Sequence, residues 1–163
     1  MNNLDKEINT LIMQEIGLEV GDRNRIFDQD TGLELKINGM DVTAPGYQER
    51  QAMEFDPYNN RKMMNQLFGY FLDKHSDETD IDVISYFDVP HDKDTSCVTC
   101  RMSDNSTITS NPYKRDSLKY TDLIIQLNGG EVEGLDKFDI MAINPSIKPR
   151  MVKSKTTRGK KNA

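Results

Sequence analysis

The sequence predicts an α+β fold: a single domain of about three helices packed on short antiparallel β-hairpins or a small meander, followed by a basic C-terminal tail. Two patterns predict this class, namely helical spacing of apolar residues in three segments and short β-rich runs bounded by turn residues between them. A length of 163 residues corresponds to one domain. Leu, Ile, Val and Phe number 37, slightly above the roughly 20% below which chains form no core. We therefore expect one compact body with a modest core.

The first element is an N-terminal helix from about Asn3 to Ile16. Its apolar residues recur at intervals of three and four, which places them on one helical face: Leu4, Ile8, Leu11, Ile12 and Ile16. Gly17 follows directly and is expected to end the helix.

A small β-meander is expected next, between Arg25 and Val42. The turn-rich run Asp28–Gly32 separates Ile26 from the alternating strand Leu33–Ile37, and Asn38-Gly39 gives a second hairpin turn. Asp28 and Asp30 resemble the start of an EF-hand loop, but the sixth position, which must be Gly, is Leu33. The acids are therefore interpreted as turn formers and no calcium site is predicted.

The second helix is expected to begin with Asp56 as N-cap and Pro57 at its first position, and to end within Ser76–Asp80. Its apolar stripe is wide and continues into neighbouring aromatic and Met residues: Met53, Phe55, Tyr58, Met63, Met64, Leu67, Phe68, Tyr70, Phe71 and Leu72. This segment is predicted to be the centre of the core. The alternative is that one side of the stripe is an exposed partner-binding surface, since Met adapts to varied contacts.

The third part alternates between strands and helix. Branched and aromatic residues from Ile81 to Val89 predict a strand, and Ser96–Met102 with Thr107–Ser110 predict a hairpin. A third helix is expected over Asp116–Leu127, with a strand across its last five residues as the rival interpretation. The apolar run Phe138–Ile143 is predicted to be an edge strand.

Two cysteines and two histidines raise the question of zinc. Cys97, Cys100, His75 and His91 are the four side chains that a Cys2His2 site needs. The histidines come first, however, and the cysteines lie three apart in a predicted strand, where they face opposite sides. We predict no metal site and interpret both cysteines as small buried hydrophobes; a zinc-dependent module remains as an alternative.

No catalytic residue is predicted. One hypothesis is that a cluster of acids holds magnesium for phosphoryl chemistry; its members are Asp77, Glu78, Asp80, Asp82, Asp88, Asp92 and Asp94. Phosphoryl transfer also needs positive charge facing the phosphates, and this stretch offers only Lys93, with no Gly-rich phosphate loop. The cluster is better explained as a solvated loop or as a docking surface for a basic partner. We therefore expect no enzyme and no cofactor.

Charge divides the chain into an acidic domain, residues 1–147, and a basic tail, residues 148–163. The first part carries 14 basic and 27 acidic residues, whereas the tail has no acid. The seven basic residues of the tail are Lys148, Arg150, Lys153, Lys155, Arg158, Lys160 and Lys161. They are the predicted partner-binding residues, with an anionic partner: nucleic acid or an acidic protein surface, including another copy of the acidic domain. The alternative is that the tail is a solvated end without a function.

The opening helix followed by Asp28–Gly39, in a short chain with a basic end, resembles the small virion structural proteins of large tailed bacteriophages. The composition agrees, because Asn, Lys and Ile number 13 each and Ala only 4, which is typical of an AT-rich genome. The resemblance covers about a quarter of the chain and assigns no catalytic residue. It implies a neck, tail, baseplate or capsid-associated subunit that is present in repeated copies.

The sequence therefore predicts a non-enzymatic structural subunit of a bacteriophage virion, assembled in the host cytoplasm. Its partners are expected to be other virion proteins and copies of itself, with possible nucleic acid contact through the tail. No membrane partner is expected, because no long apolar run occurs. The alternative is a small intracellular nucleic-acid-binding regulator that uses the basic tail.

Overall fold

The computed structural model describes residues 3–22, 25–36 and 55–143. Within these ranges, four helices accompany two three-stranded antiparallel sheets, which confirms the α+β prediction. The helices are α1 (Asn3–Ile16), α2 (Arg61–Thr79), α3 (Asp116–Leu127) and α4 (Asp136–Ile143). The strands are β1 (Leu18–Val20), β2 (Ile26–Asp28), β3 (Glu34–Leu35), β4 (Val83–Pro90), β5 (Ser96–Met102) and β6 (Thr107–Thr109).

The first sheet follows directly from α1. Gly17, with a φ of 86°, ends the helix and redirects the chain into β1, a three-residue strand that the sequence did not predict. β1 pairs with β2, and β2 pairs with β3 in the register Ile26↔Leu35. The turn predicted at Asp28–Gly32 is confirmed. The second hairpin predicted at Asn38-Gly39 lies outside the described residues.

The predicted start of α2 is wrong. The helix begins at Arg61, and its N-cap is Asn60, whose side chain accepts a hydrogen bond from the Met63 amide at 3.0 Å. Asp56 instead accepts a hydrogen bond from the Asn9 side chain of α1 at 2.7 Å, so a tertiary contact holds it in the turn before the helix. The helix ends within the predicted break, because its last residue is Thr79 and its C-cap is Asp80, which has a φ of 61°.

The second half of the chain contains the strand, hairpin and third helix that the sequence predicts. In the second sheet, β5 lies between β4 and β6. The prediction of an edge strand over Phe138–Ile143 is wrong, since this segment belongs to α4. Asp136 and Asp139 lie in the first turn of α4, where acids suit the helix dipole. A six-residue apolar run does not distinguish helix from strand by itself.

The core joins α1, α2 and α3 with the inner face of the second sheet. The stripe on α2 lies at its centre, because Met63, Met64, Leu67, Phe68 and Phe71 are all buried. The prediction that this stripe is core is thus confirmed, while Met53 lies outside the described residues. None of the helices in the described ranges is long and apolar enough to span a lipid bilayer.

Candidate interaction surface

The most exposed apolar part of the described chain is β4. Every residue from Ile84 to Pro90 is exposed. Four large apolar side chains are among them: Ile84 (55% exposed), Tyr86 (45%), Phe87 (51%) and Val89 (38%). Tyr86 and Phe87, as successive residues of a strand, lie on opposite faces of it. Several large exposed apolar side chains in one strand are a feature of interaction sites, whereas single exposed ones are ordinary.

The backbone of β4 is paired on one side only. β4 is the outer strand of its sheet and pairs with β5 from Val83↔Met102 to Pro90↔Ser96. The ladder continues beyond the strand, where the His91 amide donates to the Thr95 carbonyl at 3.0 Å. Since alternate residues of an antiparallel strand bond the same neighbour, the amides and carbonyls of Tyr86 and Asp88 point away from β5. We call this outward side of Val83–Pro90 the β4 edge; no strand in the described residues pairs with it.

Aromatic packing holds the inner face of β4 against the helices. The Tyr86 ring meets Phe68 of α2 edge to face, with ring centroids 5.2 Å apart, and Tyr120 of α3 at 6.1 Å. Phe68 and Tyr120 stack on each other at 4.6 Å. These contacts fix the strand in place, so the β4 edge is a preorganised surface.

A buried lysine anchors the far end of β4 to α3. Lys119 is 4% exposed, and its Nζ lies 2.9 Å from the Asp116 carboxylate and 3.4 Å from that of Asp88. The same ammonium also donates to the Ser96 hydroxyl of β5. Lys119 therefore has a structural role, because its donors bind groups on α3, β4 and β5.

Acidic residues precede and follow β4 along the chain. The seven acids of the predicted cluster, from Asp77 to Asp94, are all exposed, and Lys93 is the only lysine or arginine in this stretch. Those after the strand lie in a turn in which the Asp92 carboxylate accepts the amides of Asp94 and Thr95, each at 2.9 Å. The edge is consequently an apolar strip with an acidic flank at each end.

The four candidate zinc ligands are placed in different surroundings. Cys100 is fully buried on the inner face of β5, whereas Cys97 lies half-buried at a position of opposite parity. Burial raises the pKa of Cys100 to about 11, and burial also raises the pKa of Cys97, so both thiols are protonated at neutral pH. His75 stacks on Phe71 of the same helix at 6.0 Å. Among the described residues, no three His, Cys, Asp or Glu side chains form a group that would hold a metal ion.

The two acids of the calcium-like turn bind a lysine of α2. Asp28 is fully buried, and the Lys74 ammonium lies 3.1 Å from its carboxylate and 3.0 Å from that of Asp30. Burial by itself raises the pKa of Asp28, but hydrogen bonds from Tyr70, Lys74 and the turn amides outweigh it and lower the pKa to about 2. No sequence pattern connects Lys74 to the turn, since it lies more than 40 residues away.

A third polar cluster surrounds Asp122 in the core. Its buried carboxylate accepts hydrogen bonds from the Tyr113 hydroxyl at 2.9 Å, the Asn111 amide at 3.0 Å and the Gln126 side chain at 2.6 Å. Burial raises the pKa of Asp122 above its usual value. The cluster ties the loop after β6 to α3, which is a structural role.

The predicted partner-binding residues of the tail lie outside the described residues. They are Lys148, Arg150, Lys153, Lys155, Arg158, Lys160 and Lys161. Branched and aromatic residues predict the strand β4 but not its exposure. Its apolar residues occupy alternate positions, as Ile84 and Tyr86 do, and also successive positions, as Tyr86 and Phe87 do. This pattern is usually explained by burial of a strand on both faces. The signal that points to exposure instead is the acidic residues on both sides of the strand.

Comparisons with known proteins add no relative: no family model matches the chain, and neither a curated protein nor a solved structure shows significant similarity to it.

Proposed function

We propose that the chain is a non-enzymatic structural subunit of a bacteriophage virion, assembled in the host cytoplasm. It acts through contacts with other virion proteins and with copies of itself, and its basic tail, residues 148–163, docks on a neighbouring subunit or on nucleic acid. The observation that carries this proposal is the β4 edge, an eight-residue strand with one unpaired side in the described structure and four exposed apolar side chains.

An exposed apolar edge strand is a liability for a protein that acts alone. Its free amides and carbonyls form a template for pairing with another chain, and monomeric proteins usually block such edges with charges, prolines or bulges. In β4 a register irregularity lies between Val83 and Ser85 and a proline, Pro90, lies at the other end. The one charged residue within the strand, Asp88, is directed to Lys119 of α3. The middle, around Tyr86 and Phe87, is left open. A subunit that is covered by neighbours in its assembly needs no such protection.

The polar clusters inside the domain also support a structural role. Lys119 and Asp122 are buried and Lys74 is partly buried, and charged groups in such surroundings are those from which active sites are built. Each is engaged with partners that belong to the fold: Lys119 with Asp116 and Asp88, and Lys74 with the turn of the first sheet. These groups link separate elements of the domain.

A nucleic-acid-binding regulator is the second candidate, and the charge of the tail favours it. Seven basic residues without an acid are a suitable counterpart for phosphates. The acidic domain opposes this function, because 27 acids against 14 basic residues repel nucleic acid at long range. Protein contacts account for both parts of the charge distribution, whereas DNA binding accounts for the tail alone.

Two measurements test the proposal. Mass spectrometry of purified phage particles that encode the chain is expected to find it in stoichiometric amounts, and deletion of residues 148–163 is expected to reduce its incorporation. The deletion removes little apolar area, so the thermal stability of the domain should change little. Equal incorporation of the full and truncated chains contradicts a docking role for the tail, and absence from particles contradicts the subunit proposal.

Binding to duplex DNA separates the two candidates. A regulator that contacts six or more phosphates loses about 10³ or more in affinity between 50 and 200 mM salt. Fluorescence anisotropy with the full chain and the truncated chain measures this directly. Tight, tail-dependent binding that weakens steeply with salt would favour the regulator, whereas weak binding by both chains is expected for the subunit.

A further inference from the structure

The β4 edge presents a strand position for a peptide to fill. The outward amides and carbonyls of Tyr86 and Asp88 are spaced as in a regular antiparallel strand, and packing on Phe68 and Tyr120 holds the strand rigid. A peptide that adds to such an edge gains main-chain hydrogen bonds whatever its sequence, and its side chains then set its specificity. The sequence and charge around the edge therefore decide which peptide binds.

A second β4 is a poor occupant for electrostatic reasons. Acids precede the strand at Asp77, Glu78, Asp80 and Asp82, and more acids follow at Asp92 and Asp94. Antiparallel pairing places the start of one strand beside the end of the other, and parallel pairing places like ends together. In both arrangements an acidic flank meets an acidic flank, and like charges facing each other across strands are destabilising.

The chain contains one segment of the opposite charge. Residues 148–163 carry seven basic residues and no acid, against seven acids and one lysine from Asp77 to Asp94. The segment is 16 residues long and so can span the eight residues of β4 with several to spare on each side. It also contains Val152, Thr156 and Thr157, which favour extended structure.

We propose that the basic tail of a neighbouring copy, residues 148–163, adds as an extra strand to the β4 edge, with its lysines and arginines against the acidic flanks. This inference rests on the proposed function, since it requires that copies of the chain lie side by side. It deepens that function by naming the surface that receives the tail. The contact is heterologous: the tail of one copy occupies the edge of the next.

Hydrogen exchange of the full chain and of a chain that ends at Ile147 tests the pairing. The outward amides of Tyr86 and Asp88 should exchange at least tenfold more slowly in the full chain at 50 mM salt. The amides of Phe87 and Val89 face β5 and serve as internal references with equal rates in both chains. A synthetic peptide of residues 148–163 should restore the slow exchange of the truncated chain.

Matched variants test the charge and the edge separately. Replacing Asp77, Glu78 and Asp80 by their amides should weaken association about tenfold in sedimentation, because three surface pairs are lost. The control replaces three exposed acids elsewhere, Glu19, Glu131 and Glu133, by Gln, with the same change in net charge and little expected effect.

Ile84→Lys places a positive charge, the same sign as that of the tail, on the edge and should also weaken association. The control Leu33→Lys changes an exposed residue just before β3 and should not.

Several results would overturn the inference. Equal exchange of the outward amides in both chains means that the tail does not cover the edge. Slow exchange that survives the truncation identifies another occupant, such as residues 37–54 or a second β4. Protection that is independent of protein concentration assigns the edge to the tail of the same chain. If particles incorporate the Ile84→Lys and amide variants normally but reject the truncated chain, the β4 edge is not the binding site of the tail, although the subunit proposal stands. Absence of the intact chain from particles overturns the subunit proposal itself.

Discussion

Truncation of Phe68 tests whether the aromatic packing that supports β4 belongs to the core. Phe68 is 1% exposed and contacts the rings of both Tyr86 and Tyr120. Phe68→Ala is expected to cost about 3–5 kcal/mol, the range for removal of a buried Phe side chain. Two aromatic pairs are lost, each worth about 0.5–1.5 kcal/mol beyond its buried area, so the upper half of that range is expected. Such a loss is a large fraction of the total stability of about 5–15 kcal/mol that is typical of a domain.

Urea denaturation gives the free energy of unfolding of each variant. The variants are made in the chain that ends at Ile147, so that association through the tail does not enter the measurement. The matched control is Phe87→Ala, which removes the same side chain from a position on β4 that is 51% exposed. It should cost less than about 1 kcal/mol, with an unchanged denaturant slope. A loss below about 1 kcal/mol for Phe68→Ala, or equal losses for the two variants, would refute the assignment of the α2 stripe to the core.

Three further predictions concern the polar groups. Purified protein should contain no stoichiometric zinc, and Cys97→Ser together with Cys100→Ala should leave the far-ultraviolet circular dichroism spectrum unchanged; zinc whose removal unfolds the protein would contradict this. Lys74→Met leaves the buried Asp28 carboxylate without its ammonium partner and should cost about 3 kcal/mol in urea denaturation, whereas Lys62→Met on the same helix should cost less than about 0.5 kcal/mol. The folded-state pKa of Asp28 is lowered to about 2, so this carboxylate contributes about 2 kcal/mol to the free energy of unfolding above pH 4. The contribution should be lost as the pH falls from about 4 to about 2. Thermal unfolding measures the stability in this window, and a flat profile there would contradict the prediction.

Helices with a long apolar period and a clear end were predictable from the sequence. α1 and α3 have the predicted bounds, Asn3–Ile16 and Asp116–Leu127. In both, a glycine lies at or just after the end, at Gly17 and Gly129. Local sequence determines these elements, because the apolar face and the stop signal lie within the element itself.

Elements that depend on distant contacts were not predictable. Asp56-Pro57 is typical of a helix start, but Asp56 accepts a hydrogen bond from Asn9 of α1, and the helix begins at Arg61 with Asn60 as its N-cap. The carboxylate of Asp139 in α4 accepts the amide of Lys114 at 3.0 Å, a contact that exists only once the chain has folded. The strand β4 was predicted from its branched and aromatic residues, yet the pattern of one strand does not reveal its position in the sheet. The candidate site was missed for this reason.

The proposed heterologous contact between the tail and the β4 edge predicts how copies of the chain assemble. A copy that offers both a tail and an edge extends a ring or filament, whereas a truncated copy keeps its edge but contributes no tail. Truncated copies mixed with full chains at equal concentration should therefore end growing assemblies and lower their mean size in sedimentation. The same mixture in 500 mM salt should show little association of any kind. A chain that carries Ile84→Lys but retains its tail should end assemblies at the opposite end, so its effect should resemble that of the truncated copy. An isologous contact predicts dimers of fixed size in all these mixtures, and that result would exclude the head-to-tail arrangement.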